Sequence, residues 1–180
     1  MGCFADIDES SVEDIMLVNA LHPTYLAKAL INQLLARGKK SAIVVTSSVF
    51  GQRPTGGASI VYSATKSLAR FLAIGLSYEL DGKIDVLSWD CGEVATKMTK
   101  KKAGCTTLDP LEAVRSILRD IGHDRVSNGD ATHDFLNRLL SWVPLYYLNK
   151  FFISIGNKVL KKQRARAPQV PGFVADKKKN

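Results

Sequence analysis

The chain predicts an α/β fold built on a doubly wound parallel sheet with a helical C-terminal extension. Three observations carry that expectation. The run Ala42-Ile43-Val44-Val45 is short, β-branched and without polar alternation, the pattern of a strand buried on both faces. Residues 62–80 then carry Leu68, Phe71, Leu72 and Leu76 at helical spacing. Lys83-Ile84-Asp85-Val86-Leu87-Ser88-Trp89 reads as a second strand. The order strand, helix, strand implies a right-handed parallel crossover.

A length of 180 residues fits one domain with a sizeable core. Residues are 46% hydrophobic and 23% charged, which is ordinary for a globular protein. The net charge of +8 is unevenly placed. Lys97, Lys100, Lys101 and Lys102 form one cluster; Lys158, Lys161, Lys162, Arg164, Arg166 and Lys177-Lys178-Lys179 form another. Such clusters suit solvated ends, an anionic membrane or a phosphorylated substrate. No nucleic-acid-binding motif accompanies the charge, so nucleic acid is not an expected partner. Cys3, Cys91 and Cys105 have no metal-ligand spacing, and their odd number argues against a disulfide framework. No metal is expected. Met1-Gly2-Cys3 is followed by acidic residues rather than an apolar core, so no signal peptide is read.

Taken in order, Ser10-Ser11-Val12-Glu13 resembles a capping box, with Ser10 as N-cap, opening a helix. Pro23 should interrupt that helix, which resumes through Leu26, Leu30, Ile31, Leu34 and Leu35 to a stop at Gly38. The strand over 41–47 ends in Ser47-Ser48, and Gly51, Pro54, Gly56 and Gly57 mark a loop. Tyr62 and Lys66 follow at i and i+4, on one helix face. A phenol near pKa 10 exchanges protons poorly at neutrality, and a neighbouring ammonium favours the phenolate. A serine hydroxyl at the carboxyl end of the strand can bond a substrate oxygen, where ligands bind in open α/β sheets. The three groups suit general acid/base interconversion of a carbonyl and an alcohol. Asp81-Gly82 and Gly122 should end helices, the second running from Leu111 to Ile121. His123 and His133 read as surface histidines.

Ser48 followed by Tyr62-Ser63-Ala64-Thr65-Lys66 resembles the short-chain dehydrogenases/reductases. The resemblance implies the C-terminal part of a Rossmann-like sheet. It also implies that Tyr62 is the acid/base, that Lys66 lowers its pKa and holds the nicotinamide ribose, and that Ser48 orients the substrate. Ser47 is the competing serine. Asn19 resembles the asparagine whose helix distortion holds a water near the lysine. Asp90-Cys91-Gly92-Glu93-Val94-Ala95-Thr96 is similar to the family's Pro-Gly-x-Val-x-Thr segment, with Cys91 in place of proline. Gly92, Val94 and Thr96 would then line the nicotinamide, Gly92 by letting backbone approach the ring. Residues 97–112 would form a substrate lid.

Tyr62–Lys66, Val94-Ala95-Thr96-Lys97-Met98, Ser127-Asn128-Gly129 and the tail together resemble one branch. These are the membrane-bound very-long-chain 3-oxoacyl-CoA reductases and related 17β-hydroxysteroid dehydrogenases. That branch implies NADP(H), a hydrophobic acyl-CoA or steroid ketone as substrate, and a place in fatty-acid elongation. The family's glycine-rich cofactor loop is not found before Tyr62. Its absence implies weak cofactor binding and impaired reduction, and exposes 41–47 as an apolar strand edge. A non-catalytic remnant that binds a membrane or a partner is the alternative. Residues 1–133 are expected to form the partial Rossmann-like domain. Residues 134–180 are expected to form an aromatic and basic segment. Its Trp142, Tyr146, Tyr147 and Lys150 suit a membrane interface, a helix pair packed on the sheet or a contact between copies. The terminal lysines resemble a dilysine retrieval signal, which implies the cytosolic face of the endoplasmic reticulum membrane.

Overall fold

The structure is a computed structural model that describes residues 4–154. The second basic cluster, Cys3 and the terminal lysines lie outside the described residues. Three parallel strands, β1 (Ala42–Thr46), β2 (Asp85–Trp89) and β3 (Val126–Ser127), form a sheet in the order β1-β2-β3. Ala42 pairs with Asp85 and Thr46 with Trp89 at the two ends of the first ladder; Ser88 pairs with Val126 in the second. The sheet and its helices bear out the Rossmann-like expectation. β3 was not read from the sequence. Two residues flanked by Arg125 and Asn128 carry no periodic signal, and only pairing with β2 makes them a strand.

The chain enters through α1 (Glu9–Met16), a π-helical segment (Leu17–Leu21) and α2 (His22–Ala36). The N-cap of α1 is Asp8, not Ser10. Its carboxylate accepts from Ser11 N at 3.1 Å and from the Ser10 hydroxyl at 2.6 Å. A carboxylate is the stronger acceptor at the positive end of a helix, so it takes the cap and the serines become its donors. Those serine bonds hold the Asp8 carboxyl down at about 2. Gly38, with φ +62°, terminates the α2 region as expected, because glycine enters that backbone region without a Cβ clash.

α3 (Ile60–Glu79) crosses from β1 to β2 and starts two residues before Tyr62. Its buried side matches the expected one in part, since Leu76 packs against the core and Leu72 is half-buried. Phe71 and Leu68 are exposed, while Ala69, Ala73 and Ser77 are buried at i, i+4 and i+8. Alanine lets the helix lie close to the sheet, where Ala69 and Ala73 join Val45, Leu80, Ile84 and Val86 in one cluster. Ile31 and Leu34 of α2 pack on the same cluster. α4 (Pro110–Asp120) leads from β2 to β3 and is capped by Asp109, whose side chain accepts from Leu111 N at 2.8 Å. α5 (Ala131–Ser141) follows β3, continuous across residues 133 and 134, and residues 145–154 are helical. Among the described residues no helix is long and apolar enough to cross a membrane.

Candidate active site

The carboxyl end of β1 separates the two serines. Ser47 is buried, and its hydroxyl donates to the Lys66 carbonyl at 2.8 Å. Ser67 Oγ donates back to the Gly51 carbonyl at 2.8 Å. Between these bonds the loop presses on α3 so closely that a methyl at Gly51 would sit 2.7 Å from the Lys66 carbonyl oxygen and from Ser47 Oγ. Ser47 is therefore spent on holding the loop to the helix. Ser48 instead caps the 3-10 turn Val49–Gly51, accepting from Phe50 N at 3.3 Å. A hydroxyl used as acceptor keeps its own hydrogen to donate.

Tyr62 and Lys66 come together as their spacing requires. Lys66 Nζ lies 5.8 Å from the centre of the Tyr62 ring and donates to the Thr46 carbonyl at 2.9 Å. Loss of water around the half-buried ammonium pulls its pKa below the usual lysine value; the nearby Cys91 partly offsets this. No hydrogen bond joins Ser48 to Tyr62 among the described residues; the turn and the helix start merely border the same aromatic, Phe50, whose ring stands edge-on to Tyr62 at 6.3 Å.

Asn19 sits at the middle of the π-helical segment. His22 N bonds Leu17 O, five residues back, and Pro23 has no N–H to offer the Asn19 carbonyl. The Thr24 hydroxyl bonds the Ala20 carbonyl at 2.7 Å. Proline therefore interrupts the helix as the sequence predicts, and the widened turn places Asn19 with Lys66 and Thr46 in one groove of about 470 Å³.

The segment after β2 is organised differently from expectation at two places. A methyl at Gly92 would meet the His133 imidazole at 2.7 Å. The bareness of Gly92 thus admits a histidine from α5. His133 is not at the surface: it is 6% exposed, and Nε2 lies 3.1 Å from the Thr106 carbonyl. A single histidine on an amphipathic stretch gives no sign of burial; only the glycine gap opposite creates its slot. His123 is exposed. Val94 bridges Leu108, Leu108 N bonds Glu93 O at 2.9 Å, and Lys101 pairs with Glu93 at 2.6 Å, so residues 93–108 leave and return through a closed neck. Thr96 is exposed and forms a turn with Thr99. Burial pushes the Cys91 thiol up to about 11.

Asp90 carries the polar framework, and sequence reasoning passed over it. The side chain is fully buried and accepts from Arg70 Nε at 2.6 Å, Gln52 Nε2 at 2.8 Å and Ser88 Oγ at 3.0 Å. Arg70 stands four residues beyond Lys66, on the same side of α3. Gln52 Nε2 also bonds Asn128 Oδ1 at 2.9 Å, which ties the loop to the end of β3. The available signal was a lone aspartate closing an apolar strand, with an arginine continuing the tyrosine and lysine spacing.

Comparison with known proteins bears on the family and the fold. The chain is 30% identical over 164 residues to a very-long-chain 3-oxoacyl-CoA reductase of Caenorhabditis elegans, covering 87% of this chain and 51% of that protein. The Caenorhabditis briggsae protein of the same name is 28% identical over the same shares. The chain spans about half the length of these curated relatives. Among solved structures, a 7β-hydroxysteroid dehydrogenase superposes with a TM-score of 0.72 at 16% identity, over 87% of this chain and 62% of that one. A Burkholderia cenocepacia short-chain dehydrogenase in complex with NADP gives 0.65 at 19% identity, over 81% and 62%. Both show the shared fold. The model of the short chain dehydrogenase family matches residues 1–104, the stretch that holds Asn19, Ser48, Tyr62 and Lys66, and by that match the chain belongs to the short-chain dehydrogenase/reductase family of oxidoreductases.

Proposed function

We propose that this chain carries the proton-transfer and substrate half of an NADP(H)-dependent reductase of hydrophobic ketones. The observation that carries the reading is the half-buried Lys66 ammonium beside the Tyr62 ring. The positive charge favours the phenolate that remains after Tyr62 gives its proton to the carbonyl oxygen. Ser48, with its hydrogen uncommitted, donates to the same oxygen. Lys66 uses one of its three N–H donors on Thr46, which leaves two for ribose hydroxyls, and exposed Thr96 has a hydroxyl for a carboxamide or pyrophosphate. NADPH, when bound, supplies the hydride. A 3-oxoacyl-CoA of fatty-acid elongation is the favoured substrate, in line with the nematode relatives, and a 17-ketosteroid is the second.

Cofactor contacts identified in this chain are few, and positioning supplies up to ~7–11 kcal/mol of barrier reduction in well-oriented systems. The isolated chain should therefore bind NADPH weakly and turn over no 3-oxoacyl-CoA. Adding the N-terminal cofactor-binding half of a family member should restore turnover. Calorimetric titration of NADPH checks the first point, and absorbance at the nicotinamide band the second. Micromolar binding with turnover by the isolated chain would overturn the first expectation. Silence after complementation would favour a second reading, a non-catalytic partner-binding protein. That reading has its own support: among the described residues β1 lies at an edge of the sheet, with Val44 exposed beside exposed Val18 and Leu26.

We also propose that the aromatic segment and the basic tail hold the protein on the cytosolic face of the endoplasmic reticulum membrane. Trp142 is 87% exposed, and Tyr146, Tyr147 and Phe151 are exposed with it, an apolar surface that suits a lipid interface. The exposed Leu68 and Phe71 of α3 suit a contact with a second copy. Flotation with anionic vesicles at low salt should carry the protein upward; a protein that stays at the bottom of the gradient counts against membrane attachment.

A further inference from the structure

The helical residues 145–154 lie on the loop that joins Ser48 to Tyr62. Asn149 holds them there at two backbone groups. Its Oδ1 accepts from Gly56 N at 2.6 Å, and its Nδ2 donates to the Pro54 carbonyl at 3.2 Å. One turn on, Ile153 packs so tightly against Gly56 that a methyl at that glycine would lie 2.8 Å from Ile153 Cδ1. Between these two anchors Phe152 meets Phe50, with ring centres 5.2 Å apart and planes at 76°. Phe50 in turn stands edge-on to Tyr62. Three aromatic rings thus run in series from the proton donor to a helix about ninety residues further along the chain. Beyond them the surface stays apolar: Phe151 contacts Phe152 at 5.8 Å and is exposed, and Tyr146 and Tyr147 are exposed one to two turns earlier.

We propose that Phe152, fixed over Phe50 by Asn149, is a specificity-determining residue that forms the wall for the apolar arm of the ketone. The inference rests on the reading of Tyr62 as proton donor to a ketone. A carbonyl oxygen within reach of Tyr62 leaves one substituent of the carbonyl carbon facing Phe50. An alkyl or fused-ring arm on that side extends over Phe50 and Phe152 toward the exposed aromatics, burying apolar area as it goes. A ketone with only short arms gains nothing from Phe152. Edge-to-face rings held by backbone hydrogen bonds give a wall of fixed shape, so the preference follows from its position rather than from general stickiness.

Two measurements test this. Benzophenone is an apolar diaryl ketone that labels neighbouring C–H groups under ultraviolet light. Irradiated with the 180-residue chain and mapped by peptide mass spectrometry, it should label peptides containing Phe50 and Phe152, and 2-tetradecanone should compete. Labelling elsewhere, or labelling that 2-tetradecanone leaves unchanged, would overturn the proposal. This readout needs no turnover. In the complemented enzyme, Phe152→Ala should lower the ratio of kcat/KM for 2-tetradecanone to that for 2-butanone by about tenfold. An unchanged ratio, including equal losses for both ketones, would also overturn it. A wild-type complement that reduces neither ketone would instead strike the reductase reading, with the labelling map still deciding the place of Phe152.

Discussion

Tyr62→Phe should abolish ketone reduction in the complemented enzyme, by at least the roughly 10²–10⁴-fold that a positioned proton donor supplies. The substitution removes one oxygen from a half-buried ring and leaves the edge-to-face contact with Phe50 intact. Circular dichroism and the urea midpoint should therefore stay at their wild-type values while kcat collapses. The pH profile should carry the signature of the neighbouring lysine. Lys66 has its pKa lowered by desolvation, so its ammonium is lost at a lower pH than an ordinary lysine's. Reduction should fall as pH rises through that depressed value, because the charge that favours the Tyr62 phenolate disappears. Lys66→Met should lose activity across the whole range and flatten this alkaline limb. Turnover by Tyr62→Phe within a few-fold of wild type would remove Tyr62 from its assigned role.

Arg70→Met should cost about 3–5 kcal/mol of stability, the range for leaving one member of a buried ion pair without its partner. Asp90 is fully buried, and the Arg70 guanidinium at 2.6 Å is its only salt-bridge partner among the described residues. A domain has roughly 5–15 kcal/mol in total, so the variant loses a large share. Urea unfolding followed by tryptophan fluorescence reads the shift, since Trp89 adjoins Asp90. Converting Asp90 to Leu in the same chain should return part of the loss, because an apolar replacement of a buried pair is often neutral. The return is partial: Gln52 and Ser88 would lose their acceptor. An Arg70→Met midpoint within about 0.5 kcal/mol of wild type would show that Asp90 does not depend on the arginine.

Spacing along the chain was enough for the features that depend on nearby residues. The β-branched run at 42–45 became β1, Pro23 produced a helix interruption at Asn19, and Tyr62 and Lys66 share one side of α3. Each follows from dihedral preference, a missing N–H or the 3.6-residue turn, all of which act within a few residues. Burial was not legible in the same way. Leu68 and Phe71 of α3 face outward while Ala69 and Ala73 join Leu76 against the core, because the distance between helix and sheet decides which side chains fit. Ser47 is set apart from Ser48 by the Lys66 carbonyl, nineteen residues on, which takes its hydroxyl hydrogen. His133 is buried because Gly92 leaves room for its ring, and Asp90 became a hub because Arg70, Gln52 and Ser88 converge on it. Phe152 lies about ninety residues from the tyrosine it borders through Phe50. The sequence by itself determined the family, the strand–helix–strand unit and the placing of Tyr62 and Lys66 on one side of α3. Only the tertiary structure decided which serine ties the loop to α3, which histidine is buried and which rings border Tyr62, since each depends on contacts between segments whose separation in the chain no local pattern records.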